Sequence, residues 1–276
     1  MNQLRLTLVL LLIATSGWSQ GVIPMGARSN ALANASVSLN DVWSYHHNPA
    51  GLSDLKSIEI GVSYENRYLL PAFQNQGVVL AAPFKKGVIS VGAQLHGYRL
   101  YRSNRIGLGY SMRLSEKLSA GVQVNYHSLR IENYGTAGTA TGELGFQAKI
   151  NSKITLGASV SNIGRNQLIE IQNDRYSTCL RLGLAYKLSE RVLTLLEAEK
   201  EIESRLRVKG AVEYQLIDQF YFRLGAASNP VEVTSGFGIH FKSNWKLDFG
   251  AGWHQQLGIS PNIGMSYAFK SKKNVE

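Results

Sequence analysis

From Ser57 to Phe269 the chain alternates apolar and polar residues, in runs of about ten, which is the period of a strand whose two faces meet different surroundings. In SVGAQLHGY, residues 90–98, Val91, Ala93 and Leu95 share one face, while Ser90, Gln94 and His96 share the other. NWKLDFGAGWHQ sets Trp245, Leu247, Phe249, Ala251 and Trp253 against Lys246, Asp248 and His254. In RLRVKGAVEYQL, Leu206, Val208, Val212, Tyr214 and Leu216 oppose Arg205, Arg207, Lys209 and Glu213. A helix would scatter each of these sets around its circumference.

Fourteen such runs begin near Ser57, Gln74, Gly87, Arg105, Lys117, Thr139, Lys153, Ser177, Arg191, Arg205, Gln219, Val231, Asn244 and Ile259. The links between them alternate in kind. Tight polar turns at 85–86, 115–117, 151–153, 189–191, 217–218 and 242–244 are interleaved with longer connections, notably 130–142 and 162–177. An even number of two-faced strands with short turns at one end and long loops at the other predicts an all-β fold, a 14-stranded antiparallel transmembrane β-barrel. A soluble sandwich also alternates, but its polar face meets water and gains nothing from glycine, which weakens a strand. Here the polar face carries Gly61, Gly92, Gly121, Gly145, Gly157, Gly183, Gly225, Gly236, Gly238, Gly250 and Gly252, as a narrow lumen holding a plug would require. Aromatic residues toward strand ends, among them Tyr64, Tyr126, Tyr214, Trp245, Trp253 and Tyr267, suit the two membrane interfaces.

The N-terminus reads as a cleaved export signal over residues 1–20: a basic start, the apolar run Leu6–Ala14, then small residues at Gly17 and Ser19. That run is far short of the roughly 20 residues of a membrane helix. Export and a barrel together predict the outer membrane. The formal charge of +10 becomes +9 once Arg5 leaves with the signal, and basic residues spread along an exported chain offer no nucleic-acid surface. The single Cys179 has no partner for an internal disulfide. The expected organisation is a signal at 1–20, an N-terminal hatch at 21–55, the barrel at 56–269 and a short basic tail at 270–276.

The stretch SYHHNPAGL, residues 44–52, poses the one local question, a metal site or a turn. Adjacent His46 and His47 point apart on an extended chain, and no further ligands stand nearby, so no metal is expected. Asn48 before Pro49 is held extended, Pro49 presets a turn, and Gly51 permits a positive φ. His96, His127, His240 and His254 fall on the polar face without a serine or cysteine nucleophile in a motif. GTAGTATG, residues 135–142, lacks the lysine and following helix of a phosphate loop. No enzyme and no cofactor are expected.

MGARSNALANASVSLNDVWSYHHNPAGL, residues 25–52, resembles the N-terminal signature of the FadL-like outer-membrane barrels, and within them the branch containing PorV and PorQ. Asp41 stands where that family has an acidic residue, and Asn48, Pro49, Ala50, Gly51 and Leu52 stand where it has its turn before the first of 14 strands. The resemblance implies a non-catalytic accessory or structural subunit of a protein secretion or assembly complex, like PorV and PorQ in type IX secretion, with protein partners as well as outer-membrane lipid. The alternative is a FadL-like diffusion channel for small hydrophobic compounds, with the hatch as its gate.

A conduit for fatty acids would need a continuous apolar pocket along the lumen. The polar face instead carries charge, with Arg181, Arg207, Lys209, Glu213, Arg223, Lys246 and Asp248 as the expected core of a paired network, because isolated buried charges cost several kcal/mol. The accessory reading is therefore the expectation. Leu168, Ile169 and Ile171 in the longest outward loop are the candidate partner contact. The inward rim, with Lys85, Lys86, Lys117, Lys153, Arg191, Lys242 and the tail KSKK at 270–273, is a candidate surface for anionic headgroups or a periplasmic partner.

Overall fold

The computed structural model describes residues 23–166, 176–202, 204–242 and 244–270. The expected signal and all of the basic tail except Lys270 lie outside them. The strands are β1 (Glu59–Asn66), β2 (Gln74–Phe84), β3 (Gly87–Gly97), β4 (Tyr101–Arg113), β5 (Leu118–Ile131), β6 (Gly135–Lys149), β7 (Ile154–Ser161), β8 (Cys179–Ser189), β9 (Val192–Glu201), β10 (Arg207–Ile217), β11 (Phe220–Ala227), β12 (Glu232–His240), β13 (Trp245–His254) and β14 (Gly258–Ala268). Each pairs antiparallel with its sequence neighbours, and β1 closes the sheet on β14 from Glu59↔Ala268 to Glu65↔Asn262. The fold is the 14-stranded closed barrel that the alternation predicts.

The two faces separate as the pattern requires. Val124, Leu108, Leu196 and Ile106 stand outward and exposed, while Ser90, Gln123, Asn125 and Arg223 point inward and are buried. Register shifts occur at Lys187/Ser189 and at Gln215/Ile217, both at the short-turn end. β4 and β6 begin at Tyr101 and Gly135, four residues before the sequence pattern places them. There, at the long-loop end, Tyr101↔Ile131 and Ile131↔Gly135 continue the ladder through polar and small residues that read as loop. Arg205 lies in the connection before β10, not on the lumen face.

Residues 23–55 run inside the barrel as two short helices, α1 (Ala27–Ala31) and α2 (Ser44–His47), and a 3-10 turn, Pro49–Leu52. Alternation fails here because the segment is enclosed on all sides and has no solvent face to mark. Two apolar contacts on different walls hold it. Met25, Val42, Trp43, Tyr45 and Leu52 pack on Val79, Ala81 and Val88 of β2 and β3, and Leu32, Ala35 and Leu39 pack on Ala185, Leu195 and Ala211 of β8 to β10. Fully burying side chains of this size contributes roughly 1.5–3 kcal/mol each.

The inward glycines are where the segment touches the wall. A Cβ at Gly121 would sit 2.6 Å from the Ala50 nitrogen, one at Gly92 2.6 Å from the Tyr45 ring, and one at Gly236 2.6 Å from the Ala31 Cβ. Gly77 and Gly145 would strike Met25 and Asn48. Gly142, by contrast, has open space around it. Gly121→Val should therefore cost at least the ~1–3 kcal/mol of an overpacked core and displace the segment, exposing Arg28 to trypsin in the folded barrel. Gly142→Val should leave both trypsin resistance and heat-modifiable mobility unchanged; equal behaviour of the two variants would refute this assignment of the glycines.

Candidate functional site: the plugged lumen

Asn48 is the point at which the inner segment is fastened to the wall. It is extended, with φ −163°. Its Nδ2 donates to Val37 O at 2.7 Å and Phe146 O at 3.0 Å, and its Oδ1 accepts from Ala50 N at 3.1 Å. The first of these bonds ties one part of the segment to another, the second reaches β6, and the third caps the turn that begins at Pro49. Gly51 is required for space rather than for a positive φ: a Cβ there would lie 2.5 Å from Leu39 O and 2.6 Å from Ser44 Oγ. Ala50 and Leu52 are fully buried.

Asp41 bridges the turn and the charge network. Its Oδ1 accepts from Trp43 N at 2.9 Å and its Oδ2 from Arg28 Nη1 at 2.8 Å. Arg28 also grips Glu213 in a bidentate pair, at 2.9 and 2.7 Å. Burial alone would lower the affinity of this guanidinium for its proton, but Glu213 and Asp41 raise it, so Arg28 stays charged inside the lumen. Glu213 in turn accepts from Arg223 Nε at 2.7 Å, and Arg223 Nη1 donates to Asp248 at 2.7 Å.

A second cluster centres on Lys209, whose ammonium has three protons and three acceptors: Glu197 at 2.9 Å, Glu199 at 2.8 Å and the Asn34 carbonyl at 3.2 Å. Arg181 shares Glu199 at 2.8 Å. Arg207 pairs with Glu232 at 2.6 Å and Arg105 with Glu143 at 2.8 Å. Of the seven lumen charges that the sequence singles out, Lys246 alone has no ion pair within reach among the described residues. Sequence reasoning did not single out Arg28, Glu197 or Glu199. The acids sit in LEAEKE, whose alternation with Ala198 and Lys200 is the signal that would have found them.

His46 and His47 are buried and neutral. Burial, then the charge of Arg105, holds His46 well below the usual histidine range, and its ring lies against Trp43 and Tyr45. Burial, then Arg181, lowers His47 to about 3, and His47 Nε2 donates to Met25 O at 2.7 Å. Among the described residues no cluster of three or more His, Cys, Asp or Glu is arranged to hold a metal. The lumen histidines instead meet aromatic rings: His127 with Tyr176, His96 with Phe73, His254 with Tyr68 and His240 with Tyr221.

At the short-turn rim, Asp54 takes Arg113 and Lys149 as partners and accepts from Asn40 Nδ2 at 3.0 Å. Burial would raise this carboxyl, but the two cations hold it below its ordinary value. The clamp is therefore complete above the usual carboxylate range and is lost as pH falls through the depressed value. An apolar groove of about 520 Å³, lined by Val62, Tyr64, Val78, Leu95, Ile263 and Met265, lies on the lipid-facing side of β14 and β1 to β3 and so does not open the lumen. Leu168, Ile169 and Ile171 lie outside the described residues.

No family model and no curated protein matches the sequence. Solved structures do match the fold. The CymD monoaromatic hydrocarbon channel aligns with TM-score 0.68 and 12% identity over 91% of this chain and 99% of that one. The Ralstonia pickettii toluene transporter TbuX aligns with TM-score 0.69 and 11% identity over 90% and 99%. A Pseudomonas aeruginosa FadL homologue aligns with TM-score 0.63 and 12% identity over 92% and 100%. The fold is that of the FadL-like outer-membrane barrels.

The first two of these structures are of a monoaromatic hydrocarbon channel and a toluene transporter, which overturns the expectation that the chain is an accessory subunit of a secretion complex. The physical reason lies in the stretch that suggested it. Small residues and an Asn-Pro-Ala-Gly-Leu turn are what a segment needs to pack inside a narrow barrel, so they report the filled lumen and not a partner.

Two substitutions separate the roles of these groups. Lys209→Met leaves Glu199 with Arg181 alone and Glu197 without an ion-pair partner among the described residues. It should destabilise the barrel by about 3–5 kcal/mol, read as a lower midpoint in urea; Lys209→Met with Glu197→Gln should recover part of that loss, since Glu199 keeps Arg181. Asn48→Asp keeps the shape but removes both donations and sets a carboxylate against the two carbonyls, at ~1–3 kcal/mol, with Val37 O keeping only its bond from Gln147 Nε2 at 3.3 Å. Trypsin should then reach Arg28 while the barrel stays folded.

Proposed function

We propose that this chain is an outer-membrane channel that admits small hydrophobic compounds, with residues 21–55 as a hatch that closes the lumen at rest. The carrying observation is the apolar lane on one side of the lumen, where Met25, Val42, Trp43, Tyr45 and Leu52 of the hatch meet Val79, Ala81 and Val88 of the wall. This lane answers the objection raised by the charged lumen face. The sequence of the strands shows no continuous apolar pocket because half of the apolar surface is supplied by the hatch. The charges of Lys209, Arg223 and their acids are paired on other strands, β9 to β11 and β13. A compound without charge can follow the lane when the hatch shifts, without any of those pairs being broken in apolar surroundings.

The likeness to channels named for monoaromatic hydrocarbons and toluene supports the same reading. A neutral aromatic ring has the polarity that the lane accepts, since apolar surface is favoured there, and the polar groups beside it, Tyr45 and Gln94, are bonded to main chain at Gly92 and Ile23. The outer-membrane location and the cleaved signal at 1–20 belong to this proposal.

The test is the rate at which labelled toluene, supplied at limiting concentration, enters cells whose outer membrane carries the folded barrel. Entry should be faster than in cells with an empty vector, and hydrophilic solutes of similar size should show no gain. Val79→Asp, which places a carboxylate in the lane, should reduce the gain. Toluene entry no faster than in the vector control, with the barrel shown to be folded in the membrane, would overturn the proposal.

A further inference from the structure

The short-turn end of the lumen holds a cavity that a route for uncharged compounds does not use. It has a volume of about 440 Å³ and lies between the hatch at Ser38–Asn40 and the ends of β6 to β9. Four cationic residues line it, Arg28, Lys149, Lys153 and Lys187, and no carboxylate does. A smaller cavity of about 260 Å³ adjoins it through Arg28, Lys187 and Leu193 and adds Arg191 and His240, together with Glu190 and Glu213.

The carboxylates held by the cations of the main cavity are already engaged, while Glu190 of the adjoining cavity has no ion pair among the described residues. Asp54 is held by Arg113 and Lys149, and Asp41 and Glu213 are held by Arg28. Lys153 and Lys187 have no ion-pair partner among the described residues, yet they are neighbours across the wall: Lys187 N donates to Lys153 O at 2.8 Å. Lys153 ends the turn before β7 and stands opposite Lys187 of β8, and like charges placed opposite each other at a sheet are destabilising. A concave, low-dielectric mouth also focuses their field on whatever anion enters. The arrangement is costly when empty and favourable when filled by negative charge.

We propose that this cavity is an anion site at the inner mouth of the barrel, taking a phosphate-type oxyanion, either free or carried on a lipid headgroup. Lys153 and Lys187 supply the uncommitted charge, and Lys149 supplies a third cation once shared between Asp54 and the ligand. Because Asn40 and Lys149 both touch Asp54, an occupant of this site also sits on the clamp that holds the end of the hatch. The site stands independently of the hydrocarbon route, since its residues lie apart from the apolar lane.

The experiment measures the unfolding midpoint of the full-length barrel in neutral detergent as inorganic phosphate is added, against chloride at matched ionic strength. Phosphate should raise the midpoint where chloride does not. Lys153→Gln with Lys187→Gln should weaken the apparent affinity about tenfold or more, since charge-assisted hydrogen bonds contribute ~1.5–3 kcal/mol and each 1.4 kcal/mol is tenfold. Lys187→Arg should keep it, and Lys187→Gln alone serves if the double variant does not fold.

In parallel, the barrel is reconstituted in phosphatidylcholine vesicles with and without phosphatidylglycerol. Stabilisation by phosphatidylglycerol that the double variant loses, without a response to free phosphate, assigns the oxyanion to a headgroup. A response to free phosphate that the variant loses assigns a soluble anion. Equal responses of wild type and double variant to both probes, or chloride acting as well as phosphate, would overturn the site.

Discussion

The closure of β1 on β14 is the constraint from which the rest of the structure follows. A sheet in hydrocarbon can leave no unpaired backbone edge, so the strands must return to where they began. Closure fixes the count of strands at a value whose first and last members are antiparallel, sets the start of β1 beside the end of β14 at the short-turn rim, and creates an enclosed interior. That interior is then a packing problem of its own. Fourteen strands with full side chains on the inner face would compete with any inner segment, and this chain resolves the competition by removing side chains from the wall where the segment passes.

The same enclosure sets the electrostatics. Charges that face inward have lost most of their water, so each must find a partner in protein, and Arg223, Lys209, Arg181 and Arg105 all do. Arg28 of the N-terminal segment pairs with Glu213 of the wall, and Asp41 of the same segment holds Arg28 in place. The segment is consequently held both by apolar packing and by ion pairs. The ion pairs are concentrated toward β8 to β13, and the larger apolar contact lies toward β2 and β3. A lumen polarised in this way presents a dry side and a charged side to anything that enters.

Much of this was legible in the sequence, and the exceptions have physical causes. The two-residue period gave all fourteen strands and their faces, because lipid outside and protein inside impose the contrast that alternation records. The starts of β4 and β6 were missed where the ladder runs past the membrane into water and the contrast vanishes. The charge network was half legible. Arg207 and Lys209 stand out on a strand, whereas Arg28 sits in a segment without periodicity, and its partner Glu213 is 185 residues away. The role of Gly51 was assigned to backbone conformation, while its neighbours Leu39 and Ser44 show that space is the reason. Function was least legible, because the conspicuous motif serves packing and says nothing of what passes.

The glycines of the inner face have a consequence for the state in which the segment has moved. In an ordinary core, side chains lean into a vacated space and partly refill it. Here the wall opposite Pro49, Tyr45 and Ala31 is main chain at Gly121, Gly92 and Gly236, and the side chains beside these glycines, such as Ser111 and Arg105, are ones that already touch the segment. Only those neighbours could lean into a vacated space, since a glycine has nothing to offer. The plug's outline is thus written into the barrel as missing atoms.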